Sequence, residues 1–302
     1  MKIPPYLKKG DTIGITCPAG FMPLEKAQKC IDTLQAWGYG VMVGKTLGSS
    51  SPNYFSGTDE ERLQELQAML DDKNIDAILC GRGGYGMGRI IDHLDFKKFK
   101  KNPKWIIGFS DITVLHAHLN RNLKTACMHA PMAAAFNEDN GHNEYIESLR
   151  KALAGKKAKY KCAPHPFNRN GNATGELTGG NLALLANICG TPSDIRTKNK
   201  ILFLEDIGEY IYNVDRMLYQ LKRSGKLDNL AGLIIGGFTD MKDTERPFGK
   251  DVDKVIQEIA AEYKYPVCFG FPVSHNRENY ALKIGVEYEL KVGGKGGALY
   301  EL

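Results

Sequence analysis

Gly108-Phe109-Ser110-Asp111 follows the apolar run Trp105-Ile106-Ile107 and precedes Ile112, Leu115, His116 and Leu119, which recur at helical spacing. A serine between a strand end and a helix start is where α/β enzymes place an exposed nucleophile. Backbone N–H groups at the helix terminus can stabilise an oxyanion beside it. The same position suits a helix cap, because Ser and Asp oxygens accept from the orphan N–H groups of a first turn. The usual elbow is G-x-S-x-G, and Ile112 occupies its last glycine position. From this segment alone both readings stand.

A serine nucleophile needs a base, and the base needs a group to orient it. The chain offers seven histidines. His116 and His118 lie on the helix just after Ser110, too local to turn back toward its side chain. His93, His142 and His165 sit in polar or loop segments, and His129 follows a short apolar stretch and reads as a packed core histidine. His275 stands just past a strand end, in Phe271-Pro272-Val273-Ser274-His275-Asn276. Among the acids, Glu205 and Asp206 close the apolar run Ile201-Leu202-Phe203-Leu204. Such a run presents a carboxylate at a sheet edge; the plainer reading is a surface loop acid.

Cys80-Gly81-Arg82-Gly83-Gly84-Tyr85-Gly86-Met87-Gly88 contains G-x-G-x-x-G at Gly81, Gly83 and Gly86. Taken literally this is a dinucleotide fingerprint, and a nucleotide-binding protein using the Gly81–Gly88 turn is one candidate function. The turn is not the first strand–turn unit of the chain, Arg82 would crowd it, and the acid expected about 20 residues on could only be Asp111. A second use of such glycines is to bring backbone N–H groups close to an oxyanion.

Elements positioning these residues follow from periodicity. In the first half, strands over Thr12–Thr16, Gly40–Val43, Ile75–Cys80 and Trp105–Phe109 alternate with a helix through Leu24, Ala27, Ile31 and Leu34 and another, capped at Thr58 or Asp59, through Leu63, Leu66, Met69 and Leu70. Such alternation predicts a parallel sheet covered on both faces. From about 137 to 170 the pattern weakens: Asn137–Asn143 is polar and Ala154–Lys161 basic. The second half reads as a helix through Leu182, Leu185 and Ile188, strands over Ile201–Leu204, Leu233–Phe238 and Val267–Phe271, helices over Asp215–Leu221 and Val252–Tyr263, and weak antiparallel alternation over Ala281–Val292. The expected division is an α/β N-terminal domain over 1–150, a linker over 151–170 and a C-terminal domain over 171–302.

With 302 residues, 42% hydrophobic and 25% charged, the chain is of ordinary globular composition. A net charge of +5, spread without a basic helix or an aromatic-interleaved basic stripe, argues against a nucleic-acid partner. Seven cysteines at irregular spacing, with no C-x-x-C, argue against a disulfide framework or a zinc site and for a reducing compartment. The N-terminus lacks the apolar region of a signal peptide, and no run reaches transmembrane length, so a cytoplasmic protein with no membrane partner is expected.

The segments GDTIGITCPAG, YFSGTDEERLQELQAML, ILCGRGGYG, IIGFSDITVLHAHL, GGNLALLANICGTP, ILFLEDIGE, YNVDRMLYQL and FPVSHNREN resemble, in order and spacing, the LD-carboxypeptidase family. Its members are muramoyltetrapeptide carboxypeptidases, with microcin C immunity peptidases as relatives. The resemblance spans about residues 10–290. It implies a flavodoxin-like N-terminal domain with a parallel sheet, and a mostly β C-terminal domain. It implies a serine peptidase with Ser110 as nucleophile on the first domain, and Glu205 and His275 as acid and base on the second. The oxyanion hole would map to the N–H groups of Asp111 and of Gly83 and Gly84. No metal or cofactor is implied.

The implied substrate is a muropeptide tetrapeptide that loses its terminal D-alanine in murein recycling, and the implied assembly is a homodimer. The alternative is an immunity-type peptidase cleaving a peptidyl-nucleotide antibiotic. Those relatives carry extra aromatics to stack a base, whereas Trp37 and Trp105, the two tryptophans here, lie in elements that read as buried. Two departures bear on the pocket: Asn276 follows His275 where glycine is typical, and His129-Ala130-Pro131-Met132 stands where His-Gly-Pro-Met is expected.

Overall fold

A computed structural model describes residues 1–141 and 143–302 as two compact units. His142, read above as a loop histidine, lies outside the described residues. The first unit comprises Met1–Lys156 together with Tyr280–Lys283. Its strands are β1 (Thr12–Thr16), β2 (Gly40–Val43), β3 (Ala77–Cys80), β4 (Trp105–Gly108) and β5 (Cys127–His129), joined by Leu282–Ile284, which is β11 in chain order. The spatial order is β11-β5-β4-β3-β1-β2. The pairs β2–β1, β1–β3, β3–β4 and β4–β5 are all parallel, with Ile13 opposite Ala77 and Ile107 opposite Met128. β3 and β4 are buried at every residue, as continuous apolar strands are when helices cover both faces.

The helices of this unit are α1 (Gln28–Ala36), α2 (Asp59–Asp71), α3 (Met87–Ile90), α4 (Lys97–Lys101), α5 (Thr113–His118) and α6 (Glu144–Leu153). α2 begins at Thr58. Its hydroxyl accepts from Glu61 N–H at 3.1 Å while Glu61 accepts from Thr58 N–H at 2.7 Å, a reciprocal cap that satisfies two orphan donors. α6 lies in the stretch where periodicity weakens. The Asn143 side chain caps it, accepting from the N–H groups of Tyr145 and Ile146, and Ile146, Leu149 and Leu153 form its buried stripe. The polar and basic sequences on either side hide that stripe.

The second unit comprises Lys157–Asn279 and Ile284–Leu302. Its strands are β6 (Lys159–Cys162), β7 (Gly171–Asn181), β8 (Ile201–Ile207), β9 (Gly232–Thr239), β10 (Val267–Cys268), β12 (Glu287–Gly293) and β13 (Gly296–Glu301), in the order β10-β9-β8-β7-β12-β13-β6. The run from β7 to β10 is parallel; β12 pairs antiparallel with β7 and β13, and β13 with β6. Helices α7 (Leu182–Asn187), α8 (Ile211–Arg223) and α9 (Val252–Ala260) connect the parallel strands. The expected class therefore holds: a parallel α/β sheet, then a second, mostly β sheet.

Three features depart from the sequence reading. The stretch 151–170 holds the end of α6 and strand β6 rather than a bare connection. The tail expected as antiparallel strands divides: β12 and β13 are antiparallel, while β11 joins the first sheet beside β5. Ala281 and Leu282 are buried there, and the Lys283 ammonium lies 4.7 Å over the Tyr6 ring. β7 is a strand of 11 residues over the glycine-rich stretch Gly171–Asn181, which the periodicity above assigns to no element. At Gly179 (φ +142°) a Cβ would overlap the Phe203 carbonyl oxygen, so glycine there serves close strand packing.

All seven cysteines are free thiols. Cys162 and Cys268 stand on the two edge strands of the second sheet, yet their Sγ atoms lie 3.4 Å apart, and an antiparallel bridge joins Arg169 to Val267. The sheet thus curls until its edges meet. The hydrogen bond from Cys268 pulls the half-buried Cys162 thiol below its ordinary value, whereas burial pushes up Cys17, Cys30, Cys80, Cys127 and Cys189. Because the thiolate is the nucleophile, iodoacetamide near neutral pH is expected to label Cys162 first. Time-resolved peptide mass mapping checks this; Cys189 reacting as fast would refute it.

Candidate active site

β4 ends at Gly108, and the chain turns at once into the short 3₁₀ turn Ser110–Ile112 that leads into α5. Phe109 is extended (φ −155°, ψ −169°) and Ser110 takes φ +62°, the left-handed region that costs a non-glycine residue about 1–2 kcal/mol. Of the two roles open to this serine, the cap has no support: Phe109, not Ser110, occupies the N-cap position, and no side-chain hydrogen bond caps the turn. What the strained conformation does is hold a half-buried hydroxyl off the main chain at a strand-to-helix turn.

The glycine-rich turn after β3 closes on this serine. A Cβ on Gly83 would stand 2.7 Å from Ser110 Cβ, 2.9 Å from its Oγ and 3.4 Å from Asp111 N, so only glycine lets this backbone come so near. The Gly83 carbonyl accepts from Gly20 N–H at 2.9 Å, which fixes the peptide plane. The Asp111 side chain turns inward: it is 1% exposed and its Oδ2 accepts from Met87 N–H at 2.7 Å. Burial pushes its carboxyl up to about 6. A ribose-binding acid would have to be accessible, and this one is not.

Arg62, on α2, supports the same turn. It is fully buried, donates from Nη1 to Pro18 O (2.6 Å) and Gly86 O (3.2 Å), is paired with Asp59, and lies 4.9 Å over the Phe55 ring. Sequence reading missed it, because an arginine in DEERLQELQAMLD looks like part of a solvated face.

The second unit supplies a second cluster. His275 Nδ1 lies 2.6 Å from Glu205 Oε2, with Glu205 fully buried and the imidazole 12% exposed. Their approach is built by a bulge. Leu204 pairs with Ile235 and Asp206 with Phe238, so β9 carries one residue more than β8 opposite Glu205. The extra length falls at Gly236-Gly237. A Cβ on Gly236 would overlap the Val273 carbonyl oxygen, and one on Gly237 would stand 2.5 Å from Ser274 Cβ. Gly237 N–H donates to Val273 O at 2.9 Å, and Ser274 Oγ bonds Glu278 O and Asn276 N–H, setting the loop that carries His275. Burial pushes the His275 imidazole down, but the hydrogen bond to Glu205 and the charges of Glu205 and Asp206 together outweigh it and raise it above its ordinary 6.5.

Asp206 faces the other way. It accepts from Asn181 Nδ2 (2.8 Å), Ala183 N–H (2.9 Å) and Ile207 N–H (2.9 Å), tying β8 to the start of α7. Burial pushes it up to about 6.

Residues 13–130 match the LD-carboxypeptidase N-terminal domain, and residues 174–290 match the LD-carboxypeptidase C-terminal domain. The chain belongs to the LD-carboxypeptidase family. It is 35% identical to the probable murein peptide carboxypeptidase of Bacillus subtilis (strain 168), over 97% of this chain and 92% of that one. It is similar to the microcin C7 self-immunity protein MccF of Escherichia coli at 27% identity, over 98% of this chain and 94% of that one. Among solved structures, the muramoyltetrapeptide carboxypeptidase of Oxalobacter formigenes superposes with a TM-score of 0.84 at 28% identity, covering 96% of this chain and 98% of that one.

Within this LD-carboxypeptidase the remaining histidines have other surroundings. His116 is buried, bonds Ile106 O through Nε2 at 3.2 Å, and is pushed down to about 4 by burial. His129 is buried on β5 with its ring 5.6 Å from Phe109, the packed core histidine that its sequence suggested. His118 stacks on Phe96, and His165 stacks on Phe269. Trp105 is fully buried against Tyr6, whereas Trp37, read as buried, is half-exposed and packs on Phe136. It closes α1 as its C-cap residue. Among the described residues no group of three or more His, Cys, Asp or Glu side chains could hold a metal ion, and no helix is long and apolar enough to cross a membrane.

Proposed function

We propose that this protein is a serine LD-carboxypeptidase that releases the terminal D-alanine from murein tetrapeptides, with Ser110 as nucleophile, His275 as base and Glu205 as the group that orients the base. The observation that carries it is Ser110 at φ +62° with Gly83 packed against its side chain: a strained serine served by a bare backbone. Glu205 accepts from His275 Nδ1–H, which leaves Nε2 as the basic atom. Nε2 takes the Ser110 proton as Oγ attacks the carbonyl carbon before D-alanine. N–H groups of Asp111, Gly83 and Gly84 receive the oxyanion. Collapse breaks the C–N bond, and the imidazolium returns its proton to the leaving amine. Water, deprotonated by the same nitrogen, then hydrolyses the acyl-serine.

Incubation with murein tetrapeptide and mass analysis for loss of one alanine is the direct test; an intact tetrapeptide would overturn the reading. The likeness to the immunity protein supports a second substrate class, and a peptidyl-adenylate assayed in parallel decides between them. A cytoplasmic location, which the free thiols fit, and a homodimeric state complete the proposal. Light scattering on the eluting protein tests the dimer.

Gly83→Ala is expected to lower kcat by about 10²-fold or more, the loss typical of one misplaced oxyanion donor. The new methyl must push the turn away from Ser110 Oγ. Single-turnover kinetics check it; a variant within threefold of wild type would show that the turn is not part of the oxyanion site.

A further inference from the structure

An enzyme that cuts only the last residue must recognise the free carboxylate that follows it. That carboxylate lies one residue, about 4 Å, beyond the scissile carbonyl. Its anchor therefore has to be a donor on the rim of the nucleophile's own pocket, not committed to another acid. Arg62 and Arg89 are excluded, because both are paired with Asp59.

Arg82 meets the requirement. It is exposed, and it immediately precedes Gly83, the residue packed on Ser110. Its Nη1 donates to Phe21 O at 2.7 Å, and among the described residues no carboxylate pairs with it. One main-chain acceptor steadies the guanidinium and leaves its other donors available. Tyr54 flanks the same floor from the other side. Its carbonyl accepts from Phe21 N–H at 3.0 Å, and its hydroxyl stands 3.0 Å from where a Cβ of Gly84 would be. Between the two lies bare backbone: a Cβ on Gly20 would meet Gly83 O at 2.9 Å, Gly84 Cα at 3.6 Å and Arg82 Nε at 3.8 Å. Phe21 ties both residues to this floor, its carbonyl accepting from the Arg82 side chain and its N–H donating to the Tyr54 main chain.

We propose that Arg82, with the Tyr54 hydroxyl beside it, holds the C-terminal carboxylate of the substrate and so makes the enzyme an exopeptidase. The inference rests on the carboxypeptidase reading above. A guanidinium suits the task, since its planar fork matches a carboxylate with two parallel N–H···O bonds.

The experiment compares paired tetrapeptides ending in D-alanine or D-alaninamide, hydrolysed by wild type, Arg82→Gln, Arg82→Lys and Tyr54→Phe. Wild type is expected to prefer the free acid. Arg82→Gln should reduce that preference in kcat/KM by about 10- to 100-fold, chiefly through KM, as loss of a charge-assisted hydrogen bond does. Arg82→Lys should recover part of it, and Tyr54→Phe should lose a smaller share. On wild type alone, D-alanine should inhibit more strongly than D-alaninamide. An unchanged acid preference in Arg82→Gln, or equal inhibition by acid and amide, overturns the inference while the carboxypeptidase reading stands. Hydrolysis of neither tetrapeptide by wild type overturns that reading itself.

Discussion

Ser110→Ala is expected to abolish peptide hydrolysis, lowering kcat by roughly 10⁴–10⁶-fold, as removal of a serine-peptidase nucleophile does. The fold should survive. The Ser110 hydroxyl caps no helix, so the loss of about 1 kcal/mol that a deleted N-cap brings is not expected. Urea unfolding of the variant should fall within about 0.5 kcal/mol of wild type. Ser110→Gly sharpens the point. Glycine reaches φ +62° without the Cβ penalty, so this variant should be equally inactive yet up to about 1 kcal/mol more stable than Ser110→Ala. An inactive, more stable enzyme is what a strained functional residue predicts; turnover within tenfold of wild type in either variant would falsify the nucleophile assignment.

How far the site could be read from the sequence depended on whether its geometry is local. Ser110 was legible because strand, turn and helix signals meet within a few residues. The parallel sheet was legible because β3 and β4 are continuous apolar runs. The second cluster was legible only in part. Glu205 and His275 stood out at strand ends, but nothing in the sequence says that Gly236-Gly237 opposes Glu205 as a bulge, since register is a long-range property. The same holds for β11, three residues of chain placed in the first sheet by burial rather than by their own propensity. Arg62 was invisible for a different reason. Its neighbours are acidic and it reads as part of the helix's solvated face, yet its guanidinium is fully buried under the Gly86 turn. The glycines of 81–88 were legible as a turn, and the choice between phosphate and oxyanion was not. The placement of Gly83 on Ser110 and the burial of Asp111 support the oxyanion reading proposed above.

Glu205→Gln is expected to cost about 10³–10⁴ in kcat near neutral pH, and its pH profile separates its role from a structural one. In the proposed mechanism activity needs neutral His275. The pair with Glu205 raises that imidazole above 6.5, so the acid limb of kcat/KM should fall with a midpoint above this value. Glutamine removes the charge and can present its amide instead of an acceptor to Nδ1, which favours the unproductive tautomer, the effect an Asp→Asn change has in the chymotrypsin triad. Burial then acts with only Asp206 against it, and burial lowers the imidazole. The limb should therefore move to lower pH in the variant while the plateau drops. The sign for stability runs with it. A group raised on folding stabilises fully below its unfolded value near 6.5 and loses that contribution as pH climbs through its folded value. Wild type should accordingly lose stability relative to Glu205→Gln as pH rises across that window. A variant whose acid limb stays at or above the wild-type midpoint would show that Glu205 does not set the His275 proton, and the base would have to be sought elsewhere.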